Sequence, residues 1–300
     1  MARTGNWKLT KLWVVTAISF MVYITFDGWG ANKEWMQLME KRQEERRLRI
    51  TEACHEYSSA AALPAAELPL GNYRWLWNKQ VVVCVNFKAG SSSMVAHLLS
   101  EEFPDLLEAL KDTWSTNYIG FRVLKLRDND KQFAQDLLEI FRTVLVVRHP
   151  FTRLVSAYRD KIEFCDRDKI SPEMQYLFDE ENSGISFKTF AEFVVQETRR
   201  RPSFPYLAID GHWRAYYVSC VPCNVQYKYV IKVETWDEDM RYVQQALDFK
   251  SRNDIHLNIS NATATAVQYF KELPRELVKD LYETYLIDFE MFGYSMEEFM

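Results

Sequence analysis

Two short runs, Gln80–Val85 (QVVVCV) and Thr143–Val147 (TVLVV), are unbroken, β-branched and uncharged. A strand with one wet face alternates apolar and polar residues, so a continuous apolar run marks a strand buried on both faces. Each run empties into a polar loop, and a helical pattern follows. Ser93–Glu101, Phe151–Ile162, Phe187–Arg200, Trp236–Asp248 and Pro274–Tyr285 all read as helical stretches. Strands that alternate with helices are joined by crossovers, which predicts an α/β domain: a central parallel sheet with helices on its faces. The chain has the material for such a core, because 48% of its 300 residues are apolar and only 9 are Gly and 9 Pro. That profile excludes disordered and collagen-like classes.

Ahead of this pattern, Leu12–Phe26 (LWVVTAISFMVYITF) is an uncharged run flanked by Arg3, Lys8 and Lys11 on one side and Asp27 on the other. With Trp7, Trp13 and Trp29 near its ends, it predicts a transmembrane signal anchor over 12–29, a cytosolic tail over 1–11 and a lumenal remainder. A cleaved signal peptide would need a small-x-small site, and Asp27 and Trp29 stand where it should be. Asn32–Glu56 is dense in charge and in good helix formers, so it reads as an exposed stem helix, through which a homodimer competes with a monomer. Ser58–Pro69 has two prolines and no periodicity and reads as a linker. The expected organisation is stem and linker over 30–70 and a lumenal domain over 71–300. Two sequons, at Asn258 and Asn261, agree with a lumenal face.

The net charge of −5 excludes a generally basic nucleic-acid binder, so any anion site must be local. Five cysteines, of which only Cys220 and Cys223 form a C-x-x-C pair, make neither a disulfide scaffold nor a four-thiolate zinc site. In an oxidising lumen each of that pair could be bridged elsewhere.

The loop after the first strand is Asn86-Phe87-Lys88-Ala89-Gly90-Ser91-Ser92-Ser93. Small residues there let backbone N–H groups and a helix N-terminus face a phosphate, with Lys88 as a point charge and three hydroxyls as donors. An ordinary helix start, with Ser92 or Ser93 as N-cap, is the competing reading. A Walker A loop is excluded, because its lysine follows the second glycine whereas Lys88 precedes Gly90. The second strand runs into Arg148-His149-Pro150, with Ser156 in the helix beyond. Arg148 stands at the carboxyl end of a parallel strand, where open α/β sheets bind ligands, and its guanidinium suits a phosphate. A nucleotide-dependent kinase would carry an aspartate for magnesium there.

Together these segments resemble the Golgi carbohydrate sulfotransferases, and within them the branch of chondroitin/dermatan 4-O-sulfotransferases. Asp210-Gly-His212-Trp213, Cys220-Val-Pro-Cys223, Tyr229–Thr235 and the ending Tyr285–Tyr294 resemble further blocks of that branch in the same order. The resemblance implies a P-loop-like three-layer sulfotransferase fold and a Golgi type II membrane protein. It also implies 3'-phosphoadenosine 5'-phosphosulfate (PAPS) as sulfate donor without a metal, and a glycan or proteoglycan acceptor, with the 4-O position of N-acetylgalactosamine as the target. By position, Lys88, Ala89, Gly90, Ser91, Ser92 and Ser93 would hold the 5'-phosphosulfate, and Arg148 and Ser156 the 3'-phosphate. Phe87 departs from a proline usual in the branch, and His149 from an acidic residue. An inactive glycan-binding protein and a transferase acting on another terminal sugar are the alternative functions.

Sulfuryl transfer needs charge stabilisation on the departing phosphate and a base for the acceptor hydroxyl. Lys88 is the candidate for the first and His212, oriented by Asp210, for the second. A histidine packed between Trp213 and Tyr216 is the structural alternative for His212, and Glu163, Asp166 and Glu234 are alternative bases. Three basic groups could steer an anionic acceptor: Arg199–Arg201, Arg153 with Arg159 and Lys161, and Arg122 with Lys125 and Arg127.

Overall fold

The computed structural model describes residues 7–58, 68–110, 112–126, 131–165, 174, 177, 184–200, 209–250 and 262–300, with side chains from residue 32 onward except at Ala262. Two compact units are distinguished, Met1–Glu44 and Glu45–Met300. From Trp7 onward the first is a long helix, α1 (Trp7–Glu56), whose C-terminal turns belong to the second. Among the residues whose side chains are described, no helix is long and apolar enough to cross a membrane. The predicted anchor at 12–29 lies outside those residues.

The second unit is built on a four-stranded sheet in the order β1 (Tyr73–Leu76), β2 (Val81–Cys84), β3 (Arg142–Val147) and β4 (Tyr229–Lys232). β2, β3 and β4 are parallel, with Val83 opposite Val144 and Val146 opposite Ile231. The sheet is nevertheless mixed rather than parallel throughout, because β1 folds back antiparallel on β2 through the turn at Trp77–Gln80. A charged residue in Tyr-Arg-Trp-Leu hid this strand. Arg74 is buried there because its guanidinium lies 4.0 Å from the Phe121 ring centroid and donates to the carbonyls of Gly71 and Tyr73.

The strands are buried on both faces, as their unbroken apolar sequences require. Val82, Cys84, Leu145, Val147 and Val230 join a core that includes Ile50 and Ala53 of α1 and Ile287 and Met291. The alternate residues Val81, Val83, Val144, Val146 and Ile231 are equally buried, on the opposite side of the pleat. α2 (Ser91–Glu102) packs by β1, and α9 (Trp236–Leu247) by β4. Between them in sequence come α3 (Pro104–Ala109), α4 (Thr113–Val123), α5 (Lys131–Ile140), α6 (Pro150–Tyr158), α7 (Phe187–Arg200) and the short α8 (Tyr216–Ser219). α10 (Ala262–Lys271), α11 (Arg275–Thr284) and α12 (Leu286–Phe292) follow. A second core gathers Phe151, Leu154, Phe190, Phe270, Leu281 and Phe289 from the helices, with Ile185, Ile209 and Trp213 from loops.

Two expectations meet a different structure. Residues 45–56, read as exposed stem, pack into the second unit well ahead of the expected start at residue 71. Ile50 and Ala53 are core residues, and Arg46 donates to the Val230 carbonyl and pairs with Asp239 at 2.8 Å. The helix expected over Phe151–Ile162 is α-helical only to Tyr158 and continues as a π-helical turn over Arg159–Glu163. Cys54 is bonded to Cys223 and Cys84 to Cys220, so each cysteine of the C-x-x-C pair bridges elsewhere, while Cys165 is free. Between the bridged pair, Val221 holds φ of 41°, a strained conformation for a β-branched residue. The sequons at Asn258 and Asn261 lie outside the described residues.

Candidate active site

β2 ends at Cys84, and the chain crosses the carboxyl edge of the sheet as the loop to α2. Two of its residues have left-handed backbone, Lys88 at φ 64° and Gly90 at φ 71°. Gly90 is the N-cap of α2 and no side chain caps that end, so neither Ser92 nor Ser93 plays the capping role. A Cβ at Gly90 would come 3.0 Å from Cζ3 of Trp236, at the start of α9. Backbone that only glycine adopts without strain, an uncapped helix N-terminus and three serines at its first turn have the chemistry to cradle an anion. The Ser92 hydroxyl is fixed by the Asn117 amide of α4 at 2.8 Å.

β3 ends beside β2 and delivers Arg148 to the same edge. Its backbone N–H donates to the Tyr216 hydroxyl at 2.9 Å and its guanidinium to the Lys88 carbonyl at 3.0 Å, which ties the two loops together. Burial holds the guanidinium below its usual range. The Lys88 ammonium lies 3.3 Å from the Asp160 carboxylate. Burial pushes Lys88 down and Asp160 opposes it. Burial pushes Asp160 up, but the ammonium groups of Lys161 and Lys88 hold it net below its usual range. The π-helical turn carries Asp160 into this pair; such turns recur at functional sites. An adjacent Asp-Lys in sequence reads as surface, so nothing signalled the contact. Ser156 sits half-buried on α6.

The residue before Lys88 links the loop to a third segment. The Phe87 ring stacks on His212 with centroids 4.5 Å apart and 20° between planes, and on Phe121 of α4 on a 5.5 Å spacing. His212 is therefore not packed between Trp213 and Tyr216. It is 21% exposed, with Nδ1 2.6 Å from the Asp210 carboxylate, which also accepts its backbone N–H at 2.8 Å. Donation from Nδ1 to a carboxylate leaves Nε2 as the basic nitrogen. Burial pushes Asp210 up, but its bonds from His212 hold it net below the usual carboxylate range.

Arg153 holds these pieces in register. Its place beside Arg159 and Lys161 suggests a cation that steers an acceptor, yet it is only 2% exposed, and it donates to the carbonyls of Phe87 at 3.0 Å, Gly211 at 2.9 Å and Arg214 at 2.7 Å. Its guanidinium lies 4.6 Å from the Tyr216 ring centroid. Arg153 lies about 100–160° around the helix axis from Phe151, Leu154, Val155 and Tyr158, so no helical wheel signalled that it faces inward. Asp288, fully buried, accepts the N–H groups of Tyr216 and Tyr217 at the start of α8 and so fixes that end of the site.

The remaining candidates do not converge on the cradle. His149 is buried, accepts the Phe151 N–H at Nδ1 and contacts the Ser295 carbonyl through Nε2. It is a cap for α6, and burial pushes its pKa down, towards the neutral form. Both oxygens of Glu234 are engaged, by the His149 N–H at 2.7 Å and the Tyr294 hydroxyl at 2.9 Å. Glu163 accepts from Tyr269 and pairs with Arg159. Arg199 pairs with Asp280 on the surface. Asp166, Arg127 and Arg201 lie outside the described residues. Among the described residues no cluster of His, Cys, Asp and Glu could hold a metal ion.

A family model described as "Sulfotransferase family" matches residues 76–295. Carbohydrate sulfotransferase 8 of Homo sapiens is 27% identical over 297 residues, which are 90% of this chain and 65% of the relative. Carbohydrate sulfotransferase 12 of Mus musculus is 28% identical over 242 residues, 72% of this chain and 57% of the relative. Carbohydrate sulfotransferase 10 of Mus musculus is 29% identical over 189 residues, 59% of this chain and 53% of the relative. The chain thus spans less than two thirds of the length of the curated relatives it matches. No solved structure gives a significant match.

Proposed function

The chain belongs to the sulfotransferase family, and from that premise we propose that it moves sulfate from PAPS to a glycan hydroxyl, the 4-O position of N-acetylgalactosamine in chondroitin or dermatan. The observation that carries the reading is the convergence of three segments at one edge of the sheet. Lys88 and Gly90 shape the cradle, Arg148 is bonded to the Lys88 carbonyl, and His212 is stacked on Phe87 next to Lys88.

The cradle fits the donor's 5' end because it offers helix N–H groups, three serines and an ammonium around backbone that a Cβ would obstruct. Arg148 and Ser156 would hold the 3'-phosphate. The donor supplies the sulfuryl group. Lys88, already partly stripped of water, would neutralise charge as it develops on the departing phosphate, a role worth about 3 kcal/mol of barrier in comparable sites. His212 would take the acceptor proton at Nε2, while Asp210 holds the ring in that tautomer. Anchoring through residues 12–29 in the Golgi membrane, with the unit from Glu45 onward in the lumen, completes the reading. The two disulfides support it, because such bonds persist in oxidising compartments.

The test uses the full chain with radiolabelled PAPS and a panel of chondroitin, dermatan and desulfated heparan chains. Label on chondroitin or dermatan, lost in Lys88→Ala, is the expected result. Label only on another glycan would correct the acceptor, and donor-product binding without transfer to any chain would leave a glycan-binding protein. Absence of donor-product binding would end the sulfotransferase reading.

A further inference from the structure

α4 presents two neighbouring stripes. Asn117 and Phe121 face the site, where they hold the Ser92 hydroxyl and the Phe87 ring. About 80° around the helix axis lies a second stripe at the same four-residue spacing, Trp114, Tyr118 and Arg122. The Trp114 and Tyr118 rings are parallel within 4° at 5.2 Å, although Trp114 is 72% and Tyr118 48% exposed. Arg122 donates to the Tyr118 hydroxyl at 2.8 Å, with its guanidinium 5.5 Å from that ring centroid. It makes no ion pair with any described residue.

An exposed, ordered aromatic pair is unusual on a soluble surface and marks a binding face. This row covers roughly 12 Å along the helix, the length of a short oligosaccharide. Flat rings match the C–H faces of pyranoses, and a guanidinium with no carboxylate partner among the described residues matches a uronate or a sulfate ester. In a chain of net charge −5, a cation left at the end of an aromatic row selects an anionic occupant.

We propose that Trp114, Tyr118 and Arg122 form a platform for the acceptor glycan, engaging an anionic polysaccharide a few sugar units away from the hydroxyl that reacts. The proposal rests on the transferase reading for its direction, since Phe121 and Asn117 connect the same helix to His212 and the cradle. The platform itself is a binding site with its own measurement. It makes the protein a reader of chain length, because a disaccharide cannot occupy the row and the reactive position together.

The full chain is titrated calorimetrically with desulfated chondroitin polymer and with its disaccharide, as wild type, Trp114→Ala/Tyr118→Ala, Arg122→Gln and Trp114→Phe. The double variant should bind the polymer about tenfold more weakly or worse, with its melting temperature and donor KM retained. Arg122→Gln should weaken binding and flatten its salt dependence, and Trp114→Phe should restore most of the affinity. In transfer assays, the preference in kcat/KM for polymer over disaccharide should collapse in the double variant. Polymer affinity unchanged in the double variant, or none in the wild type, overturns the platform. So does a wild-type dimer that the double variant dissociates in light scattering, which would assign the row to a second copy. A wild type that binds polymer through the row yet transfers no sulfate refutes the transferase reading and leaves the platform standing.

Discussion

Arg153→Met keeps the unbranched stem of the side chain and deletes a guanidinium that serves three carbonyl oxygens. A buried acceptor left without a donor costs about 1–3 kcal/mol. Three of them at the lower end, since loop carbonyls regain some water, give about 3–5 kcal/mol. Removing a buried cation recovers part of its desolvation penalty and trims the total to about 3 kcal/mol. For a domain of this size that is a fall of about 6–12 °C in melting temperature. Arg153→Lys retains a point charge that reaches a single carbonyl, so it should fall between the variant and the wild type. Because the three carbonyls belong to the cradle loop and the His212 turn, donor-product affinity should drop with stability. The assay is thermal unfolding monitored by near-ultraviolet circular dichroism, paired with calorimetric titration of adenosine 3',5'-bisphosphate. A methionine variant that melts within about 2 °C of wild type and binds the nucleotide equally well would refute the clamp.

His212→Ala should lower kcat by about 10²–10⁴ with donor-product affinity retained, and Asp210→Asn should lower it by less; steady-state kinetics with saturating donor decide, and an active His212→Ala would assign the base elsewhere. Gly90→Ala must adopt φ near 71° with its Cβ against Trp236, a strain of about 1–2 kcal/mol, so donor-product binding should weaken about tenfold. Cys54→Ser opens a bond nested around Cys84–Cys220. With the inner bond intact the closed loop is only the 33 residues by which the separations of 169 and 136 differ, so the loss should be about 3–4 kcal/mol in urea unfolding rather than the larger value for the full span. Burial raises Asp288 to about 6, so the folded state binds its proton more tightly than the unfolded chain. Stability from this group is full below about pH 4 and falls by roughly 3 kcal/mol as pH rises to 6; urea midpoints across that range should show the fall in wild type and not in Asp288→Asn.

The parts of this structure that were legible are those decided by local pattern. The unbroken valine runs of β2 and β3 could only be doubly buried, and the amphipathic spacing of Phe187–Arg200 returns as α7 with the same ends. The loop with Lys88 and Gly90 and the His212–Asp210 spacing were readable for the same reason, since partners lie within a few residues. What escaped was set by distant neighbours. Ile50, Ala53 and Cys54 form an apolar stripe among arginines and glutamates, and only β4 and Cys223 reveal its use. Arg74 in a strand and Arg153 in a helix looked like solvent-facing charges because the ring and the carbonyls that receive them come from other segments. Phe87 looked like a departure from pattern until its two stacking partners, contributed by residues 121 and 212, stood on either side.

The nesting of the two disulfides also sets a timetable for synthesis. Cys54 emerges 169 residues before Cys223, and Cys84 136 residues before Cys220, so at ordinary elongation rates both thiols wait roughly 7 to 35 s for partners that do not yet exist. During that interval the third thiol, Cys165, is delivered first. The bonds open to the growing chain before residue 220, Cys54 with Cys84 and then either of them with Cys165, are all wrong ones, and a correctly paired product depends on an exchange catalyst undoing them after the C-x-x-C segment arrives. The yield of correctly paired protein, more than the stability of the finished molecule, is where the presence of Cys165 should be felt.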